Sequence, residues 1–231
     1  MPKSFLVVGG SSDIGLLLCD LLLDKGYTLT VVARDATRVE SIKSRGANVI
    51  VGDALDSEVI SSAITKTLEL GEGSITGVAH LVGSIMLRPP HALKLEAFED
   101  VIQTNLISAF LTLSLTGKAM LKTGSGRMVF TSSVAGSLGL VNHEAIAAAK
   151  GGIESMVRSA AATYSKRGIR VNAVAPGLTD TRLASTILRS DAIREASEKM
   201  IPLNRINQPQ EIAECIFCLL YTSDAADDTP C

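Results

Sequence analysis

SFLVVGGSSDIGLLLCDLLLDKG, residues 4–26, decides the fold. Its opening, SFLVVG, is a short apolar and β-branched run, the pattern of a central strand buried on both faces. GGSSDIG, 9–15, turns the chain, and an apolar helix follows that stops at Gly26. Strand, glycine turn and helix in that order bring backbone N–H groups and a helix N-terminus to one point, a setting suited to the pyrophosphate of a dinucleotide. Gly9 permits the tight turn, and Gly15 lets the helix pack closely on the strand. Ser11, Ser12 and Ile14 complete the loop, while Asp13 takes the place of a middle glycine. An ordinary βα turn is the plainer alternative.

Downstream, strands and helices alternate without an internal repeat or a Pro-, Gly- or Ser-rich linker. Strands are expected at 28–33, 48–52, 74–82, from 128, and at 168–175. Helices are expected at 36–45, 57–70, 95–121, around Lys150, and from Pro209. One open parallel sheet with helices on both faces accounts for that order. In such a sheet the end of the second strand lies beside the adenine ribose. Arg34 stands there and would pair with a 2′-phosphate, so NADP(H) is favoured over NAD(H), although Asp35 is adjacent and a solvated surface arginine is the bland alternative. Asp53, after the third strand, could accept from the adenine amino group or cap the next helix, though Asp56 and Ser57 are better placed as caps. Gly83 ends the fourth strand and would allow close backbone approach to the cofactor. Asn105 falls in the middle of a mostly buried helix; pointing inward, its amide would hold a water or a backbone group near the site, and a solvent-facing asparagine is the plainer alternative.

The stretch 128–153, MVFTSSVAGSLGLVNHEAIAAAKGGI, carries the chemistry. Met128-Val129-Phe130 reads as a buried strand, after which the hydroxyls of Thr131, Ser132 and Ser133 are expected to be exposed. A small-residue helix then carries Lys150. A hydroxyl at a strand's carboxyl end facing a lysine on the next helix can polarise a carbonyl over a bound cofactor. One turn before Lys150, on the same face, stands Ile146, which cannot carry a proton. The alanines and glycines of this helix allow close helix approach, through a subunit contact or through packing within the monomer. The polar segment 178–199 sits where a substrate lid would lie, and it contains no aromatic residue to indicate a substrate.

The totals narrow the function classes. The chain has 231 residues, 46 % hydrophobic and 20 % charged, a normal size and composition for one α/β domain. A net charge of −2 without a basic run argues against nucleic acid, and 3 % aromatics against single-strand stacking. No apolar run reaches membrane-span length, and Met-Pro-Lys leads at once into a strand without a signal or transit pattern. Cys19, Cys215, Cys218 and Cys231 lack metal-ligand spacing beside histidines. Cys215 and Cys218 are formally C-x-x-C but read as helix-face residues, so no metal is expected and a reducing, cytoplasmic setting is.

These motifs in order resemble the short-chain dehydrogenase/reductase family from Ser4 to about Phe217, which implies a Rossmann-type doubly wound parallel sheet. GGSSDIG is similar to its glycine loop, Arg34 to its NADP-selecting position and Asp53 to its adenine contact. HLVG, 80–83, stands where the family usually has Asn-Asn-Ala-Gly. Asn105, Ser133 and Lys150 match three of four active-site positions. Pro176, Gly177, Thr179 and Thr181 lie in IRVNAVAPGLTDT, 169–181, similar to the strand-plus-Pro-Gly signature, with Thr181 where a contact to the nicotinamide carboxamide or phosphate is expected. PLNRINQPQEIA, 202–213, resembles the approach to the last helix. The family's Tyr-x-x-x-Lys reads Ile146-Ala147-Ala148-Ala149-Lys150, which removes a proton carrier worth about 10²–10⁴-fold.

Two functions follow from the resemblance. In the first, the protein is an oxidoreductase acting on a small carbonyl or alcohol, and another group moves the proton. His143 is the nearest candidate, three residues before Ile146, although a histidine at a helix start is more often a cap. In the second, it binds NADP(H) with little or no turnover, as a sensor or assembly partner. A homo-oligomer, dimer or tetramer, is expected of the full-length protein. CLLYTSDAADD, 218–228, resembles a translated transposase adapter from sequencing-library preparation. The natural sequence is therefore expected to depart near Phe217, leaving residues 1–217 as one domain that lacks its last parallel strand and 218–231 as a non-native tail.

Overall fold

The computed structural model describes residues 2–221. The first strand, β1 (Ser4–Val8), is buried throughout and enters α1 (Asp13–Asp24) through the glycine turn. Then come β2 (Thr28–Ala33), the short α2 (Glu40–Ser44), β3 (Asn48–Val51), α3 (Ser57–Leu70) and β4 (Gly77–His80). A long interrupted helix, α4 (Leu95–Ile102) and α5 (Ser108–Thr123), leads to β5 (Gly126–Thr131) and α6 (Glu144–Tyr164). The chain continues with β6 (Ile169–Val174), α7 (Asp191–Lys199) and α8 (Pro209–Tyr221).

All strand pairs are parallel, in the order β3-β2-β1-β4-β5-β6. This is the doubly wound, Rossmann-type sheet. Strand order reverses between β1 and β4, so the crevice at their carboxyl ends is the binding position of such folds. Alternate strand residues feed two cores. Leu6 and Val8 face α3, α5 and α6 through Ile60, Leu113, Met120, Ile153 and Val157. Phe5 and Val7 face α1, α2 and α8 through Leu18, Leu22, Ile42, Ile212 and Ile216. Each such fully buried side chain stabilises by about 1.5–3 kcal/mol, which holds the crevice walls rigid.

Several boundaries differ from expectation. The 74–82 strand narrows to β4, and at its approach side chains join the backbone bonds: Ser4 Oγ donates to Ser74 O at 2.7 Å, and Ser4 N donates to Thr76 Oγ1 at 3.0 Å while Thr76 N donates to Ser4 O at 2.8 Å. The 95–121 helix is broken by a π-helical turn, Gln103–Ile107, centred on Asn105. The polar 178–199 segment forms a short 3-10 turn, Arg182–Ala184, that runs on into further turns before α7. At the end, α8 runs to Tyr221, and Leu220 is buried in the second core. Residues 222–231, which hold most of the adapter-like stretch, lie outside the described residues.

Candidate active site and cofactor cleft

The glycine loop is closed by necessity. Gly9 has φ +86°, and a Cβ there would lie 2.9 Å from the backbone of Leu81 and Val82. A Cβ at Gly15 would lie 2.7 Å from Gly9 O. Ser12 caps α1, its Oγ accepting from Gly15 N at 3.0 Å and donating to Gly9 O at 2.9 Å. Ile14 packs into the second core and anchors the loop from below. Glycine at these two positions lets the turn press against the end of β4 and lets α1 start directly on the loop, which brings the α1 N-terminus to the end of β1, a setting that fits a dinucleotide.

Asp13 is engaged within that loop. Its Oδ1 accepts from Arg38 Nη2 at 2.8 Å and Arg182 Nε at 3.1 Å, and its Oδ2 from Arg182 N at 2.7 Å. Arg182 Nη2 also reaches Ser11 O at 3.4 Å. At the end of β2, Arg34 is 72 % exposed and only loosely paired with Asp53, at 3.9 Å. An exposed pair of this kind is worth little, so Arg34 can turn to an incoming phosphate. Asp53 Oδ1 accepts from Leu55 N at 2.9 Å, while Asp56 caps α3 through Glu58 N at 2.8 Å.

Lys150 is the centre of the site. It is 6 % exposed, and its Nζ donates to Thr131 O at 2.8 Å. Among the described residues it has no carboxylate partner. Burial pushes its pKa down to about 8. Donors therefore remain on a buried ammonium, the arrangement of a functional rather than a structural lysine. A Cβ on Gly83 would stand 3.4 Å from Lys150 Nζ and 3.1 Å from Asn105 Oδ1, so a side chain there would crowd the space between the two.

Asn105 is fully buried. In a π-helical turn the N–H groups reach five residues back, which frees a carbonyl. Asn105 Nδ2 takes the Val101 carbonyl at 2.9 Å and donates to Ser84 Oγ at 3.0 Å; its Oδ1 accepts from Ser84 N at 3.2 Å. It fixes the Gly83–Ser84 loop beside Lys150.

The hydroxyls after β5 separate. Ser133 is half-buried, and its Oγ accepts from Ala135 N at 3.2 Å, leaving its hydrogen uncommitted among the described residues. Contrary to expectation, Ser132 and Thr131 are not exposed donors. Ser132 is buried and bonds Lys150 O at 3.0 Å and Glu154 Oε1 at 2.9 Å. Thr131 Oγ1 is buried without a partner. Strand alternation accounts for Ser132, which points to the face opposite Ser133; Thr131, the last residue of β5, shares the face of Ser133 and is instead covered by its surroundings. Glu154 also accepts from Ser137 Oγ at 2.8 Å and so grips both ends of the turn that presents Ser133.

Ile146, 5 % exposed, belongs to a small apolar cluster with Val101, Ala135, Ala145 and Ala149, backed by Met86 and Phe98. His143 immediately precedes α6. Its Nδ1 lies 2.7 Å from Val141 O, and since a carbonyl can only accept, Nδ1 carries the hydrogen. Nε2 has no partner among the described residues. Beyond β6, Pro176 O accepts from Val134 N at 3.0 Å, tying this loop to the Ser133 turn. Thr179 Oγ1 donates to Gly177 O, and Thr181 Oγ1 accepts from Ala184 N.

Sequence reasoning missed His80, Arg38, Arg182 and Glu154. Ser108 gives its hydrogen to Thr104 O at 2.6 Å, so its oxygen accepts from His80 Nε2 at 3.0 Å. His80 Nδ1 is left buried and unpartnered. Burial, then the Lys150 charge, push the ring pKa down to about 3. The one available signal was the departure of HLVG from the expected Asn-Asn-Ala-Gly.

Against known proteins, a family model described as Enoyl-(Acyl carrier protein) reductase matches residues 9–227. The chain belongs to the short-chain dehydrogenase/reductase family. It is 33 % identical over 224 residues to 2-(S)-hydroxypropyl-CoM dehydrogenase 3 of Xanthobacter autotrophicus, covering 93 % of this chain and 88 % of that one. It is 31 % identical over 230 residues to the 3-oxoacyl-[acyl-carrier-protein] reductase MabA of Mycobacterium bovis, covering 98 % and 88 %. An actinorhodin polyketide ketoreductase whose crystal structure contains NADPH superposes with a TM-score of 0.89 at 26 % identity, covering 97 % of this chain and 92 % of that one. The family's members named here are oxidoreductases, and the two curated relatives match nearly the whole of this chain.

Proposed function

We propose that the protein is an oxidoreductase that uses NAD(P)(H), with NADP(H) favoured, to interconvert a carbonyl and an alcohol on a small-molecule substrate. The observation that carries this reading is Lys150: a buried ammonium with spare donors, beside Gly83, at the mouth of a crevice whose other wall is the glycine loop. Support also comes from the dehydrogenase and reductase names of its relatives and from the NADPH held by the ketoreductase. Bound here, the nicotinamide would supply or take up the hydride.

The chain's own residues divide the remaining work. Gly9, Ser11, Ser12, Asp13, Ile14 and Gly15 form the phosphate loop, with Arg34 and Asp53 at the adenosine end. Lys150 would donate to ribose hydroxyls, and Pro176, Gly177, Thr179 and Thr181, in the loop tied to the Ser133 turn, would hold the nicotinamide end. Ser133 donates its free hydrogen to the substrate oxygen, while Asn105 holds the Gly83–Ser84 loop. His143 moves the proton. Positions 146 and 150 share one face of α6, helical side chains lean toward the N-terminus, and His143 is the residue that caps this helix. A phenol at 146 would deliver its oxygen toward the turn that His143 begins. His143 stands at that turn, its Nδ1 held by Val141 O and its Nε2 without a partner among the described residues.

A second reading, dinucleotide binding with little turnover, is favoured by one observation: Ile146 is committed to apolar packing. NADPH oxidation over a panel of ketones separates the two. The oxidoreductase reading expects measurable turnover that falls about 10²-fold or more in His143→Ala with dinucleotide affinity unchanged. Tight binding without turnover over the panel would leave the second reading standing.

A further inference from the structure

We propose that Arg182 is a phosphate-binding residue of the cofactor cleft and that Asp13 is the residue that positions it. The inference deepens the dinucleotide reading above and rests on it.

Three contacts join Arg182 to the glycine loop across 169 positions of sequence: backbone N to Asp13 Oδ2 at 2.7 Å, Nε to Asp13 Oδ1 at 3.1 Å, and Nη2 to Ser11 O at 3.4 Å. The first holds the main chain of the segment after β6, and the other two hold the guanidinium. The planar fork is therefore fixed at the first turn of a helix 12 residues long, where orphan N–H groups receive anions. Arg182 Nη1 has no partner among the described residues, so the face of the fork suited to a phosphate is open.

Charge supports the same assignment. A lone carboxylate at this point would oppose an incoming pyrophosphate. Asp13 is outnumbered, because Arg38 pairs with it as well, and the three side chains together carry one positive charge. The two arginines differ in access. Arg38 is 19 % exposed and its Nη1 is sealed from solvent, whereas Arg182 is 64 % exposed. Arg38 holds Asp13; Arg182 faces the ligand. Glycine at position 13 could not reach either arginine, so the departure from the family's loop acquires a role.

Binding probes that carry different parts of the dinucleotide test this by calorimetry. ADP-ribose has the pyrophosphate without nicotinamide or 2′-phosphate; adenosine 2′-phosphate has no pyrophosphate. Arg182→Gln is expected to weaken ADP-ribose about tenfold and to leave adenosine 2′-phosphate unchanged, the loss typical of one charge-assisted hydrogen bond. Arg182→Lys, which keeps the charge but not the fork, falls between. Asp13→Asn weakens ADP-ribose, and adding it to Arg182→Gln produces no further loss, since the two act as one unit. Thermal melts of each variant show that folding is retained. Unchanged ADP-ribose affinity in Arg182→Gln, equal loss of both probes, or tighter binding in Asp13→Asn would each overturn the inference while leaving the cofactor reading intact. Wild-type protein that binds neither ADP-ribose nor NADPH overturns the cofactor reading and this inference with it.

Discussion

Replacing Lys150 with methionine should abolish turnover and yet stabilise the protein at neutral pH. Burial lowers the Lys150 pKa from the ordinary lysine value to about 8. Each tenfold loss of proton affinity is worth about 1.4 kcal/mol, so keeping this ammonium charged at pH 7 costs the folded state about 3 kcal/mol. The substitution also removes the bond to Thr131 O, worth about 1 kcal/mol. A net gain of about 1–2 kcal/mol remains, or a rise in Tm of roughly 3–6 °C for a chain of this size. The sign with pH follows from the depressed folded value. Between about pH 8 and the ordinary lysine range, the unfolded chain holds a proton that the folded chain does not, so wild-type stability climbs as pH rises through that window. Below about pH 8 the full cost is present. Urea denaturation followed by circular dichroism at pH 7 and pH 10 checks this: Lys150→Met gains at pH 7, and most of the gain disappears at pH 10. A variant less stable than wild type at pH 7, or equally favoured at both pH values, would mean that the buried Lys150 ammonium does not carry this cost.

Other perturbations have distinct signatures. Asn105→Ala loses bonds to Ser84 and strands the freed Val101 carbonyl, so urea unfolding should show a loss of about 2–4 kcal/mol. His80 stays neutral in the fold down to about pH 3, whereas the unfolded chain takes up a proton below about 6.5. Stability should therefore fall as pH drops through that interval, and His80→Asn should flatten the acid limb of the denaturation profile. Ile146→Ala should cost about 2–4 kcal/mol by leaving a cavity between α6 and α4, read from the same urea midpoints.

Much of the fold was legible because its elements obey local rules. Continuous apolar strands, capped helices such as Asp56 before α3, and the closed loop from Gly9 to Gly15 each follow from residues near one another. The family assignment drew on the same motifs. What escaped were relations across distance or face. Nothing local announces the π-helical turn, since it is fixed by Asn105 reaching Ser84 twenty-one residues back. Three adjacent hydroxyls, 131–133, look alike in sequence, yet alternation turns Ser132 to Glu154, and tertiary packing seals Thr131 on the face that leaves Ser133 half-buried. The pairing of Asp13 with Arg182 has no periodicity behind it, so position 13 read as a departure without a consequence. Ile146 was identified from the sequence as a missing proton carrier, but its membership in an apolar cluster required the packing of α4 against α6.

Whether the cleft binds a nicotinamide dinucleotide is decided by calorimetric titration of the purified protein with NADPH and NADH. The account predicts saturable binding of both, with NADPH the tighter because Arg34 is exposed and loosely held at the end of β2. Absence of binding by either nucleotide at millimolar concentration would contradict it.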